Sequence, residues 1–263
     1  AGSIAALNYA KSARNVVLAD PFSYNESSKS DYRTTAYLQP SKSFLESIGV
    51  WDCVKNSAMP LEIMKIIDAS GMGDTGKIKS EKNFNCSEIS DLPFGWNIKN
   101  SLMRTTLQNL IEHQNNCNLI TGIRAVDFIS RDDVAYVKLS SGQTVKAKLV
   151  IAADGRNSAL RQKADISIKT HNFGQKALAF AVTHSIPHKN ISTEIHLSGG
   201  PFTLVPLPDH DGKPSSAVVW MNKSEKAAKL MEMKNKEFEE EMTQRSCNIL
   251  GPLKLASKRS LWP

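Results

Sequence analysis

Apolar positions along the chain recur in two rhythms. Spacings of three and four predict helices, and alternation or a short apolar run predicts strands. The helical rhythm falls on residues 1–10, a segment rich in small side chains, and on residues 41–48, with Ser41 as N-cap and Gly49 as stop. It returns at residues 100–114, through Leu102, Met103, Leu107, Leu110 and Ile111, and at residues 224–233 and 236–245. Strands are predicted at residues 15–19, 61–68, 118–121, 125–130, 134–139 and 144–146. Ser141-Gly142 supplies the turn before the last of these. A further apolar strand is expected at residues 148–153, running into Asp154-Gly155. Residues 31–37 read as a polar loop, and residues 71–76 as a glycine-rich turn. From about Gln175 the texture turns to strands, at residues 176–184, 193–197, 201–207 and 216–221. An α/β part followed by a mainly antiparallel part suggests a nucleotide lobe and a substrate-facing sheet.

Composition narrows the class. The chain has 263 residues, 41% hydrophobic and 22% charged, which fits one or two domains with a substantial core and excludes a disordered chain. No apolar run is long enough to span a bilayer as a helix. Residues 1–10 lack the pattern of a secretory signal. Cys53, Cys86, Cys117 and Cys247 have no paired spacing, so neither a disulfide framework nor a zinc site is expected, and a reducing, cytoplasmic setting is. The net charge of +7 comes from scattered Lys and Arg, and Glu237, Glu239, Glu240 and Glu241 form an acidic cluster. That distribution argues against nucleic acid and allows a mild attraction to acidic membrane surfaces.

Candidate chemistry lies in two places. Helix, loop, apolar strand and acid over residues 1–20 form the second half of a dinucleotide-binding βαβ unit. Gly2 stands where the third glycine of G-x-G-x-x-G would, and Asp20 follows it by 18 residues, as the acid that accepts from a ribose hydroxyl. The first strand and first two glycines of such a unit are not in this sequence, so it is expected to be a piece of a longer chain. A plain amphipathic helix and strand remains the alternative. The second place is Asp154-Gly155-Arg156-Asn157-Ser158, where a tight turn before a helix offers backbone N–H groups to an anion. A plain strand–turn–helix corner with a capping serine is the alternative there.

Taken together and in order, five stretches resemble one family. They are the half unit ending at Asp20, the Asp31-x-Arg33-Thr34-Thr35-Ala36 loop, Asp154-Gly155-Arg156-x-Ser158-x-x-Arg161, Ser192-Thr193-Glu194-Ile195-His196, and Gly200-Pro201-Phe202-Thr203-Leu204-Val205-Pro206-Leu207. The set is similar to the UbiH-type flavin hydroxylases of ubiquinone biosynthesis, within the p-hydroxybenzoate hydroxylase class. The resemblance implies an FAD-binding, Rossmann-like (GR2-type) α/β lobe at residues 1–60 and 96–170. It implies a mainly antiparallel substrate lobe at residues 61–95 and 171–263. It also implies an NAD(P)H-using monooxygenase that hydroxylates the ring of a polyprenylated phenol through a flavin C4a-hydroperoxide. No metal and no protein catalytic residue are required by that chemistry.

By resemblance, Gly2 and Asp20 serve the FAD pyrophosphate and adenosine ribose, and Arg33 reaches toward the flavin. Asp154 and Gly155 serve FAD and NAD(P)H, with Arg156 and Arg161 as weaker phosphate candidates. Ser101 stands where many relatives carry a basic residue. Phe202, Leu204 and Pro206 are candidates for the substrate side of the sheet, with sheet core as the alternative. A biosynthetic complex and the inner-membrane surface are implied partners. This stretch alone is expected to retain FAD poorly. Two further readings stay open: a flavin enzyme acting on another aromatic, and a non-catalytic subunit of the complex.

Overall fold

The computed structural model describes residues 1–22, 31, 33–71 and 77–262. Tyr32 and residues 72–76 of the expected glycine-rich turn lie outside the described residues. In chain order the first elements are α1 (Gly2–Lys11), β1 (Val16–Asp20), β2 (Thr34–Leu38), α2 (Gln39–Ser47), α3 (Trp51–Val54), β3 (Met59–Leu61), β4 (Ile63–Asp68), β5 (Ser80–Asn85) and β6 (Gly95–Lys99). Next come α4 (Asn100–Glu112), β7 (Cys117–Thr121), β8 (Ala125–Ser130), β9 (Ala135–Leu139), β10 (Thr144–Ala147) and α5 (Ala159–Lys163). Last are β11 (Gln175–Thr183), β12 (Ile191–Leu197), β13 (Gly200–His210), β14 (Lys213–Lys223), α6 (Ser224–Glu232), α7 (Asn235–Arg245), β15 (Lys254–Leu255) and β16 (Ser260–Trp262).

The chain divides into two compact units, and the division falls within α4. The first holds residues 1–29 and 104–171. Here β1 pairs in parallel with β7, from Val16 opposite Cys117 to Asp20 opposite Thr121. Helix α1 packs on β1 through Ala6, Leu7 and Ala10, all buried. Strands β8, β9 and β10 form an antiparallel meander in which Val137 and Leu139 turn inward. The strand expected at residues 148–153 does not form. Those residues have no ladder partner among the described residues, and Leu149 and Ile151 remain 61% and 49% exposed. Without a partner for its N–H and C=O groups, an apolar run stays merely extended. Asp154 therefore follows an unpaired segment rather than a strand beside β1.

The second unit holds residues 30–103 and 172–263. Residues 30–60 and 96–103 thus fall with the sheet-rich unit, where the sequence reading placed them in the other lobe. The reason is strand pairing: β2 and β3 both bond to β6 in a small antiparallel sheet. Residues 34–38, expected as loop, are one of its strands. The larger sheet has eight strands among the described residues, in the order β15-β11-β14-β13-β12-β4-β5, with β16 also on β11. All its pairs are antiparallel except β4 with β12. Strand β5, with the sequence Ser-Glu-Lys-Asn-Phe-Asn, was not foreseen; it sits at the sheet edge, where lysine and polar side chains are tolerated.

Alternation gives this sheet two different faces. One carries Ile195, Phe202, Trp220 and Leu178 in register across four strands, each fully buried. Helices α6 and α7 cover it, adding Ala227, Leu230, Phe238 and Met242 to one core. Its aromatic rings meet edge-on, Phe180 to Phe238 at 5.2 Å and Phe202 to Trp220 at 5.4 Å between centroids. The Arg259 guanidinium lies 4.5 Å over Phe238 and donates to the Leu230 and Met233 carbonyls, securing the end of α6.

A buried histidine pair stands at one corner of the sheet. His184 Nδ1 lies 2.8 Å from the Ile186 carbonyl, which can only accept, so this nitrogen carries the proton and Nε2 accepts from Ser216 Oγ at 2.9 Å. Burial pushes the His184 pKa down; the Ile186 carbonyl opposes this, and nearby His188 adds to it while Asp209 opposes it. The unfolded chain then binds more protons than the folded one, so stability rises with pH. Stability should be full above the ordinary imidazole pKa of 6.5 and be lost as pH falls from there toward the depressed folded value. Thermal midpoints measured across that window should show this slope in the wild type and a smaller one in His184→Gln.

Candidate functional site

In the first unit the local fold sets Gly2 beside Leu18 and Ala153, which lie close in sequence to Asp20 and Asp154. Gly2 opens α1, and no side chain caps that helix. A Cβ placed on Gly2 would lie 3.3 Å from the Ala153 side chain and 3.8 Å from Leu18. A larger side chain there would crowd the Ala153 side chain, so glycine lets the bare start of α1 approach both the end of β1 and the segment leading to Asp154. Leu18 is two residues before Asp20, which closes β1. Asp20 Oδ1 accepts from the Phe22 N–H at 3.0 Å. A helix start with uncapped N–H groups, a glycine at the point of closest approach and an acid at the neighbouring strand end suit a nucleotide pyrophosphate and its ribose. On this geometry the residues present fit FAD.

The Asp154 turn is built differently from the expectation. The Asp154 carboxylate accepts from the Ser158 hydroxyl and from the N–H groups of Ala159 and Leu160, at 2.8 and 3.2 Å for the latter two. Ser158 Oγ in turn accepts from the Arg161 N–H at 3.0 Å. Aspartate and serine together therefore cap α5. Desolvation pushes the Asp154 carboxyl up, but these hydrogen bonds outweigh it and hold the group below the ordinary carboxylate range. Gly155 has φ of 88°, with open space around its Cβ position, so its backbone conformation is what requires glycine. Arg156 is exposed, and its carbonyl accepts from Arg161 Nη1.

In the second unit Arg33 is held on two sides. Its Nε and Nη2 each donate to Asp31 at 2.8 Å, in a two-point pair with a carboxylate only 6% exposed. Its guanidinium carbon lies 3.5 Å from the centre of the Trp262 ring. Asp31 and Trp262 carried no role in the sequence reading; the two-residue spacing from Asp31 to Arg33 was the available signal for one of them. Ser101 lies in the first turn of α4.

The substrate-side candidates need correction. Phe202 and Leu204 are 0% and 1% exposed, and Pro206 is buried with them. Phe202 and Leu204 point into the core under α6 and α7, and the Pro206 carbonyl accepts from the Asn97 side chain at 2.9 Å. The opposite face carries Thr203 and Val205 from β13, Ala217 and Val219 from β14, and Glu194 and His196 from β12. It is partly open, with Val219, Ile66 and Met64 exposed by 39%, 42% and 37%. Among the described residues no group of three or more His, Cys, Asp or Glu side chains is placed to hold a metal ion. Among them, too, no helix is long and apolar enough to cross a membrane.

Comparison with known proteins bears on the family and the fold. A family model described as FAD binding domain matches residues 24–260. Ubiquinone hydroxylase UbiL of Rhodospirillum rubrum is 28% identical over 221 residues, which span 84% of this chain and 49% of that protein. The 3-demethoxyubiquinol 3-hydroxylase of Escherichia coli is 24% identical, over 89% of this chain and 57% of its own length. The chain thus spans about half the length of these curated relatives. Among solved structures, a PqsL mutant from Pseudomonas aeruginosa superposes with a TM-score of 0.79 at 15% identity, over 99% of this chain and 70% of that one. The flavin-dependent monooxygenase PieE, solved with FAD and substrate, gives 0.70 at 14%, over 99% and 47%.

Proposed function

Since the chain belongs to the FAD binding domain family, we propose that it is part of an FAD-dependent, NAD(P)H-using monooxygenase that hydroxylates a polyprenylated phenol in ubiquinone biosynthesis. The observation that carries the cofactor half of this reading is the close approach of Gly2 to Ala153 and Leu18 at the uncapped start of α1. The names of the similar ubiquinone hydroxylases support the substrate class.

When bound, FAD supplies the redox chemistry that activates O₂ for transfer of one oxygen atom to the ring. The chain's own residues bind and orient. The N–H groups opening α1 receive the pyrophosphate, and Asp20 accepts from the ribose. Asp154 fixes the turn by capping α5, so that Gly155 and Arg156 present backbone N–H groups and a guanidinium. Arg33 is held in place by Asp31 and Trp262, which fixes its guanidinium within the second unit. The phenol lies on the open sheet face beside Thr203, Val205 and Val219, whose apolar surface suits an aromatic ring with a prenyl tail. A prenylated substrate partitions into lipid, and a net charge of +7 favours an anionic surface. Both support work at a membrane surface, and the proposal places the protein in the cytoplasm, peripheral to the inner membrane and within a biosynthetic complex.

The test uses the full-length protein supplied with FAD, NADH or NADPH and a prenylated phenol under ¹⁸O₂. The proposal expects phenol-stimulated nicotinamide oxidation and a ring-hydroxylated product carrying the label. Flavin-containing protein that yields no labelled product would sink it.

A further inference from the structure

The open face of the large sheet carries a carboxylate–imidazole pair that the cofactor residues do not touch. Glu194 and His196 are two apart on β12, so both project from the same face. Their side chains meet at 2.9 Å, Glu194 Oε1 to His196 Nε2, and are 40% and 48% exposed. Strand register sets their neighbours. Glu194 stands opposite Thr203 on β13 and beside Ile66 on β4. His196 stands opposite Pro201 and beside Asp68. Thr203 is in turn opposite Val219. The pair therefore shares a surface with the apolar side chains assigned above to the aromatic ring.

The contact selects one tautomer. A carboxylate accepts and cannot donate, so Nε2 carries the hydrogen that Glu194 receives, and Nδ1 is left with its lone pair. This is the arrangement in which a carboxylate orients an imidazole and stabilises it once protonated. We propose that His196 is the base that takes the hydroxyl proton of the phenol on this face, with Glu194 as its positioning residue. The inference rests on the phenol reading of the open face. The phenol O–H bond breaks, an Nδ1–H bond forms, and the electron pair stays on the phenolate, making the ring a stronger nucleophile toward an electrophilic oxygen. His196 becomes imidazolium and later releases the proton to solvent, to which its half-exposed side chain has access.

Further charged groups stand near the pair. Asp68, whose carboxylate accepts from the Ser70 N–H and hydroxyl, stands beside His196 on β4, and Lys79 is near enough to act on the same carboxylate. Lys82 of β5 lies across Ile66 on the same face, toward the sheet edge, with its ammonium over Phe84. Lys65 and Glu81 project from the other face and pair with each other at 3.3 Å. The facing positions of β13, Pro201 and Thr203, carry no charge.

The test uses the full-length, FAD-loaded protein and 4-nitrophenol, whose phenolate absorbs visibly. In the wild type, bound 4-nitrophenol should ionise at lower pH than free 4-nitrophenol. His196→Gln should abolish that shift, remove the acid limb of the pH profile, and lower kcat/KM for hydroxylation by about 10²–10⁴-fold. Glu194→Gln should lower kcat by a smaller factor and keep the profile's shape. Flavin content and thermal midpoint should be unchanged in both, since both side chains are exposed. Bound 4-nitrophenol that ionises identically in wild type and His196→Gln would overturn the role of His196 while leaving the phenol face standing. A wild-type protein that binds FAD but no phenol would overturn both.

Discussion

Phe202→Ala is expected to lower the unfolding free energy by about 3–5 kcal/mol, the usual cost of emptying a large aromatic site in a packed core. The phenyl ring is fully buried and meets Trp220 edge-on at 5.4 Å. Leu204 and Ile195 flank it on the same face, so the space left behind cannot fill without moving strands. Denaturant titration of the full-length protein measures the loss. A shift in KM for the phenol at unchanged stability would instead place Phe202 in the substrate site and contradict the assignment of the two sheet faces.

That residue also shows where sequence reasoning stops. Alternation along residues 201–207 establishes a strand with two faces, and both faces are apolar enough to be core. Which one is sealed depends on α6 and α7, and their docking is a tertiary fact that the strand does not encode. The same limit applies to residues 148–153. Their apolar run resembles a buried strand, but a strand needs a ladder partner, and local pattern cannot show whether one is present. Asp154 was legible as a turn residue but not as a helix cap, because its carboxylate could equally have faced a ligand. By contrast, the helix start at Gly2 and the strand end at Asp20 were legible from spacing, although their role toward a cofactor is a proposal. Their chemistry is that of a helix start beside a strand end, a local unit that sequence encodes directly. The Glu194–His196 contact lay inside a motif singled out by resemblance; the i, i+2 spacing on a strand was enough to place both side chains together, but not to say what they face.

The second large effect is expected at the start of the chain. Asp20→Ala should weaken FAD binding by about 1–3 kcal/mol, because it removes a charged acceptor from the ribose hydroxyls. Gly2→Val should weaken it as well, by a different route. A Cβ at this position already lies 3.3 Å from the Ala153 side chain, and two further methyl groups must push α1 away from Ala153 or Leu18. The helix start would then no longer present its N–H groups at the same place. Asp20→Asn should retain part of the lost affinity, since an amide oxygen still accepts.

The claim that this chain supplies the nucleotide-binding part of a flavin site is tested most directly by equilibrium titration of the full-length apoprotein with FAD, followed by flavin fluorescence. The account predicts saturation at one FAD per chain, with the dissociation constant raised about 5–150-fold in Asp20→Ala. A wild-type protein that takes up no FAD, or an Asp20→Ala variant that binds it as tightly as the wild type, would contradict it.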